Sequence, residues 1–276
     1  MSIGFPSATS KPSGLTALPS GLKRPAFGTL YGFDASGGGD GGGSSFSNVN
    51  ALSLDGTNDT ASLSDSGIGV DSQSAYTFSC WAKFDSVTNN SGFFAVDGGN
   101  SISDWPYNNW WRIESSGNLL SWYHRDSSAY KINSGTLTGA GLSAFATGQW
   151  YHIMCTWSGS ELKTYVNGTL ITTKTSVNGW SGRSGRNFAI NIGLNRIAYI
   201  DGVIDEWAWI PTDQSSAVAD IYNSGVPTDL SSLSPLFYYR MGDNDEGTGS
   251  TVTNQGSGTG DLTLNNGAAF VTDVPS

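Results

Sequence analysis

Glutamate is scarce in this chain: four occur among 276 residues, at positions 114, 161, 206 and 246, and charged residues of all kinds make up only 13%. Long helices draw on Ala, Glu, Lys and Arg, so a helical architecture is disfavoured. Cysteine is equally sparse. Two cysteines are too few for a disulfide scaffold, and they lack metal-ligand spacing. No apolar run approaches the roughly 18 residues of a membrane helix. The N-terminal stretch "MSIGFPSATSKPSGLTALPSGLKRPAFG" is interrupted by prolines and holds no signal-peptide core, so a soluble chain without an ordinary cleaved signal is expected. Cations are outnumbered, 13 Lys and Arg against 23 Asp and Glu, for a net charge of −10. A phosphate backbone would be repelled, which argues against nucleic acid as a partner. No G-x-S-x-G elbow is present to support serine-hydrolase chemistry.

What is abundant is glycine, with 37 residues, and aromatics at 12%. Together with many Ser, Thr and Asn, this favours short strands joined by turns. Residues 1 to 47 read as an arm, with "ASGGGDGGGSS" at 35 to 45 as a flexible hinge. Lys11, Lys23 and Arg24 all precede the first acid, Asp34, so the arm is basic while the remainder carries the acid. A solvated tail and a peptide that docks on a partner both fit that composition.

From Val49 onward a period of two takes over. "NALSLDG" (50–56), "YTFSCWAKF" (76–84), "GFFAVDGG" (92–99) and "NLLSWYHR" (118–125) read as strands, followed by "WYHIMCTWSG", "LKTYVNGTLITTK", "NFAINIGLN", "IDGVIDEWAWI", "PLFYYRM" and "DLTLNNGAAF". Ten or more short strands make a sandwich or jelly roll. One helix is expected within "PTDQSSAVADIYNSGVP", stopped by Gly225 and Pro227.

"GQWYHIMCTWSGSELKTYVNGTLI" (148–171) holds one of two histidines and one of two cysteines. Alternation places Ile153, Cys155 and Trp157 on one face and His152, Met154 and Thr156 on the other, so His152 and Cys155 cannot pair as base and nucleophile. Turns are expected at Ser158 to Ser160 and at Asn167-Gly168, the latter of type I′. Cys80 and Cys155 both fall on core-facing positions. His124 reads as a surface or face residue.

These hairpins resemble the signature of laminin-G-like jelly rolls in the concanavalin A-like lectin and glucanase superfamily. "NALSLDGTNDTASL" with "YTFSCWAKF", and "GVIDEWAWIPTDQSSAVADIYNSG", match further blocks of that family in order. "FYYRMGDNDEGTGSTVTNQGSGTGDLTLNNGAAF" resembles the segment that begins such domains; here it comes last, which implies a permuted closure of the same sandwich. The resemblance implies an all-β, concanavalin A-like jelly-roll sandwich over 48–276, with one short helix and an extended N-terminal arm. The layout is similar to laminin-G-like virion proteins of tailed bacteriophages. It implies a non-enzymatic capsid decoration or fibre subunit at the virion surface, assembled in the host cytoplasm, with major capsid or other virion proteins as partners. Self-association and host-surface glycans are further expected partners, and membrane insertion is not expected. A lectin or adhesin unconnected with a virion is the alternative, and a glycosidase is third.

Related glucanases carry Glu-x-Asp-x-Glu on one strand, a pattern missing here. Asp205 and Glu206 in "VIDEW" are adjacent and would face opposite sides of a strand, a poor acid/base pair. The family often carries a structural Ca²⁺; Asp55 and Asp59 in "LDGTND" and Asp205 are the matching positions, while Asx-turns around Gly56 explain the first two equally. Glycan platforms or subunit contacts are expected at Trp105, Tyr107, Trp110 and Trp111 in "SDWPYNNWWR" (103–112), and at Trp180, Arg183 and Arg186 in "NGWSGRSGRN".

Overall fold

A computed structural model describes residues 46–87, 94–97, 108–125, 130–179, 187–194 and 198–276. Its strands, in chain order, are β1 (Ala51–Asp55), β2 (Thr60–Leu63), β3 (Tyr76–Phe84), β4 (Phe94–Asp97), β5 (Asn108–Glu114), β6 (Leu119–Arg125), β7 (Tyr130–Thr136), β8 (Trp150–Trp157), β9 (Glu161–Val166), β10 (Thr169–Thr175), β11 (Ala189–Ile192) and β12 (Asp201–Ile210). A short helix, α1 (Val218–Tyr222), precedes β13 (Phe237–Tyr239), β14 (Thr251–Val252), β15 (Leu262–Asn265) and β16 (Ala269–Val271). They form two antiparallel sheets. The first has the order β10-β9-β8-β3-β12-β1-β16 with β13 joined to β12, and the second the order β14-β15-β2-β11-β4-β5-β6-β7.

The C-terminal segment supplies strands to both sheets: β16 pairs with β1 in the first, and β15 with β2 in the second. Ser45–Ser276 is one compact unit.

Alternation explains the core. Along β3, Tyr76, Phe78, Cys80, Ala82 and Phe84 point inward and are 0% exposed. They meet Trp111, Trp122, Trp207 and Trp209 from facing and neighbouring strands, with Phe78 lying 5.5 to 6.0 Å from three of those indoles. Rings of this size each bury about 150–250 Å² and dominate the cohesion of the sandwich. Cys80 and Cys155 are free and buried in this layer.

The Asn167-Gly168 turn has φ of +48° and +73°, the type I′ signature. α1 is shorter than the sequence suggests. Gln214 donates its backbone N–H to the Thr77 hydroxyl (2.8 Å) and Ser215 donates to Asp213 (2.9 Å), so the expected first turn ties the chain to β3 instead. Asn223, at φ +46°, then ends the helix. α1 seals a second, smaller core on the back of the first sheet, built from Met154, Tyr165, Ala208, Val218, Ile221, Leu230 and Tyr238.

Candidate functional site: the outward face of the second sheet

The back of the first sheet is covered by α1 and Leu230; among the described residues no helix covers the outward face of the second. "NNWWRIE" and "LLSWYHR" form β5 and β6, and alternation sends Trp111, Ile113, Leu120, Trp122 and His124 into the core at 0% exposure. Arg112, Glu114, Ser121 and Tyr123 therefore face outward.

One register row crosses seven strands: Thr263, Ser62, Asn191, Ala95, Trp110, Tyr123 and Ile132, each paired at Cα with the next. Ile132 is 43% exposed, unusual for an isoleucine on a strand. Arg112 donates from Nη1 to the Tyr123 hydroxyl (3.4 Å) and pairs through Nη2 with Glu114 (2.7 Å), which fixes the guanidinium beside the ring. Ser121 and Ser134 share a hydrogen bond (2.7 Å) in the adjacent row. Nearer the sheet centre, Asn265 donates to Ser62 (2.9 Å), while the Oδ1 of Asn191, buried at 4% exposure, accepts no hydrogen bond. Ser121 and Asn191, at 1% and 4% exposure, are covered, so the groups left to a ligand are Tyr123, Ile132, the Ser134 hydroxyl and the Arg112 guanidinium, apolar surface beside polar groups of the kind that a sugar's C–H face and hydroxyls require.

The sequence expectations fare unevenly. Trp110 occupies a β5 position, not a loop. Trp111 is corrected: at 0% exposure it packs against Trp122 (4.9 Å) and offers no platform, because the strand period outweighs the loop-like Pro and Asn around it. Trp105, Tyr107, Trp180, Arg183 and Arg186, and the arm residues Lys11, Lys23 and Arg24, lie outside the described residues. Tyr123, Arg112 and Ile132 were not anticipated, although alternation in "NNWWRIE" and "LLSWYHR" carried the signal for the first two.

His124 is also corrected. It is fully buried, with Nδ1 2.8 Å from the Tyr76 hydroxyl and Nε2 3.2 Å from the Asn178 carbonyl. Since that hydroxyl accepts from the Trp122 indole (3.1 Å), it donates to Nδ1, and Nε2–H donates to Asn178.

The metal triplet does not converge. Asp55 Oδ1 accepts from the backbone N–H groups of Thr57 (2.8 Å) and Asn58 (3.3 Å), and the Thr57 bond leads in lowering its pKa. The Thr57 bond closes an Asx-turn at Asp55, and Asp59 accepts from the N–H of Asp55 (3.1 Å). Asp201 is the register partner of Asp55, whereas Asp205 lies four residues further along β12, about 13 Å away at strand rise. Asp55, Asp59 and Asp205 thus cannot share one ion.

Asp205 and Glu206 do not alternate as expected. A bulge between Asp205 and Ala208, with Glu206 at φ +46°, turns both carboxyls into one buried network. Asn48 donates to Asp205 (2.9 Å), Tyr238 and Arg240 donate to Glu206, and Arg240 also pairs with Asp243 (2.8 Å). Burial, reinforced by the charge of Glu206, raises the pKa of Asp205 well above the usual range. Burial pushes Glu206 up to about 7 against the opposing pull of Arg240. At 0% and 2% exposure, with protein donors on their oxygens, these carboxyls form a structural clasp that no glycosidic bond reaches.

Ser79 Oγ lies 2.8 Å from His152 Nε2, a pairing the sequence did not suggest. Both are 1% exposed beneath Trp81 and Tyr222, Nδ1 of His152 has no acidic partner, and burial lowers its pKa to about 3. The pair is enclosed and lacks the orienting acid of a hydrolytic triad.

The family model for laminin G domains of the concanavalin A-like lectin/glucanases superfamily matches residues 55–217. No curated protein sequence matches the chain. Among solved structures, a candidate carbohydrate-binding protein from Bacteroides ovatus superposes with a TM-score of 0.59 at 16% identity, over 83% of this chain and 62% of that one. Domain 4 of the arabinanase AbnA from Geobacillus stearothermophilus gives 0.46 at 21% identity, over 62% and 76%. The enzymatically active domain of tailspike protein 2 from bacteriophage CBA120 gives 0.49 at 18% identity, over 70% and 30%. The chain thus spans 62% of the length of the Bacteroides protein. With two packed antiparallel sheets and a family match over more than half its length, the chain belongs to the concanavalin A-like lectin/glucanases superfamily.

Proposed function

We propose that the chain is a non-catalytic carbohydrate-binding module whose ligand lies along the outward face of the second sheet. The observation that carries this reading is the register row from Ser62 to Ile132, with Tyr123 braced by Arg112. The likeness to the Bacteroides protein supports it at the level of fold. The burial of Asp205 and Glu206 supports a binding role over glycoside hydrolysis by that pair. A glycan array is the test. Wild-type protein binds at least one glycan class, and Tyr123→Ala weakens it about tenfold, the value of roughly 1.4 kcal/mol of lost ring contact, with an unchanged melting temperature. Failure of the wild type to bind any glycan, or wild-type affinity in Tyr123→Ala, refutes it.

The layout resemblance supports a second element of this proposal: display at a virion surface, with the arm docking through Lys11, Lys23 and Arg24 on a capsid or other virion protein. Multiple copies would add avidity to weak glycan contacts. Where the chain enters the sandwich, the N–H groups of Val49 and Asn50 donate to Asp243 (3.0 and 2.8 Å), and Arg240 lies over the Phe46 ring (4.4 Å). Deletion of residues 1–33 should abolish incorporation into purified particles; undiminished incorporation removes the docking role.

A further inference from the structure

His152 is a titratable group sealed beneath a short helix. Its imidazole lies on the back of the first sheet at 1% exposure, with Trp81 of β3 (ring centroids 5.1 Å) and Tyr222 of α1 (5.9 Å) against it. Nε2 lies 2.8 Å from the Ser79 hydroxyl, and Nδ1 has no partner. A neutral imidazole tolerates this arrangement, because only one of its nitrogens goes unmet. An imidazolium carries two N–H donors, and only the Ser79 oxygen is there to accept. The charged ring would leave a donor and a charge buried without compensation, so the closed structure holds the neutral form. Burial lowers the pKa accordingly, to about 3.

Among the described residues no carboxylate relieves this. Asp205, opposite Trp81 in register, and Glu206 are engaged by Asn48, Tyr238 and Arg240. Lys83 on β3 pairs with Asp273, Lys163 on β9 pairs with Glu161, and Asp213 accepts from Ser215. Asn167 uses its Oδ1 to accept from the His152 backbone N–H (2.8 Å), and Asp220 of α1 is exposed. Tyr165 of β9 stays neutral, since burial raises its pKa.

The cover depends on its packing. α1 has five residues, too few to persist without tertiary contacts. Tyr222, its half-buried last residue, forms no hydrogen bond among the described residues. Its ring rests on Trp81, His152 and Gly168, where a Cβ would stand 2.8 Å from it. Asn223 and Ser224 follow at φ +46° and +58°, a left-handed conformation that non-glycine residues keep only while their surroundings impose it.

We propose that Tyr222 and the end of α1 form an acid-released cover, which swings off the back of the first sheet when His152 takes up a proton. Water then reaches both ring nitrogens, and Trp81 is bared with them. An exposed imidazole titrates at about 6.5. The closed form is therefore fully favoured above that pH and loses ground as pH falls toward 3, by up to about tenfold in the opening equilibrium per pH unit. This device is independent of the carbohydrate-binding reading.

Hydrogen exchange of the full chain tests it, followed by NMR from pH 7.5 to 4.5 with each rate divided by the intrinsic rate at that pH. The amides of Ile221 and Asn223, which donate to Ala217 and Ala219, should open about tenfold more often at pH 5.5 and about a hundredfold more often at pH 4.5 than at pH 7.5. Amides of β3 and β8 should keep their protection. His152→Gln should flatten the response, and Tyr222→Phe should preserve it. In Tyr222→Ala, a histidine ring signal that titrates near pH 3 in the wild type should move toward 6.5, a check that does not depend on the folding of His152→Gln. Constant protection of α1 across this range overturns the proposal. So does a parallel loss in β3 and β8, a full response in His152→Gln, or an unmoved histidine titration in Tyr222→Ala.

Discussion

At the scale of single residues, the polar groups inside this sandwich are informative. The Tyr76 hydroxyl joins the Trp122 indole to His124 in the middle of an aromatic core. Tyr76→Phe keeps the ring but leaves an indole N–H and an imidazole nitrogen without that partner. A loss of roughly 1–3 kcal/mol is expected in urea unfolding. Glu206 supplies a pH effect. Its folded pKa of about 7 lies above the ordinary 4.5, so between those values the native state keeps a proton that the unfolded chain has released. Its contribution to stability is complete below pH 4.5 and is lost as pH rises toward 7, with a slope of up to about 1.4 kcal/mol per pH unit. In Glu206→Gln, melting temperatures recorded from pH 4.5 to 7.5 should lack that descent. Asp205, shifted in the same direction, preserves part of it. Unchanged pH profiles would contradict the assignment.

Elements were the scale most open to reading from sequence. Period-two alternation located most of the strands, and the Asn167-Gly168 dipeptide fixed its turn. The same alternation in "NNWWRIE" marked β5, yet the Pro and Asn upstream gave it a loop's composition, and Trp111 was misplaced for that reason. The bulge at Glu206 was not readable, since a left-handed glutamate has no local sequence signature; β3, β12 and Arg240 hold it in place. Gly202 shows how tightly β12 and β3 meet: a Cβ there would lie 2.1 Å from the Lys83 carbonyl oxygen. Gly202→Ala should separate the strands at that point and cost roughly 2–4 kcal/mol in guanidinium unfolding. A near-neutral result would mean that the two backbones can part freely.

For the molecule as a whole, Arg240 ties the beginning of the domain to its end. Its guanidinium reaches Glu206 and Asp243 and also the Ser47 carbonyl, while Asp243 accepts from Val49 and Asn50. Arg240→Met would leave two carboxylates, each 2% exposed, without their cation. A loss of about 3 kcal/mol is expected, lowering the melting temperature by roughly 6–12 °C for a domain of this size. Differential scanning calorimetry decides it; a shift within a degree of wild type would reduce the clasp to a surface contact.

By itself, the sequence determined the all-β class, the inward and outward faces of most strands, and the absence of a Cys–His pair, because these follow from side-chain order along an extended backbone. Tertiary structure decided what depends on residues far apart in the chain: the row from Thr263 to Ile132 across seven strands, the meeting of the β7 and β10 edges, and the separation of Asp205 from Asp55. Strand order and register set those distances, and a linear pattern of alternation carries neither.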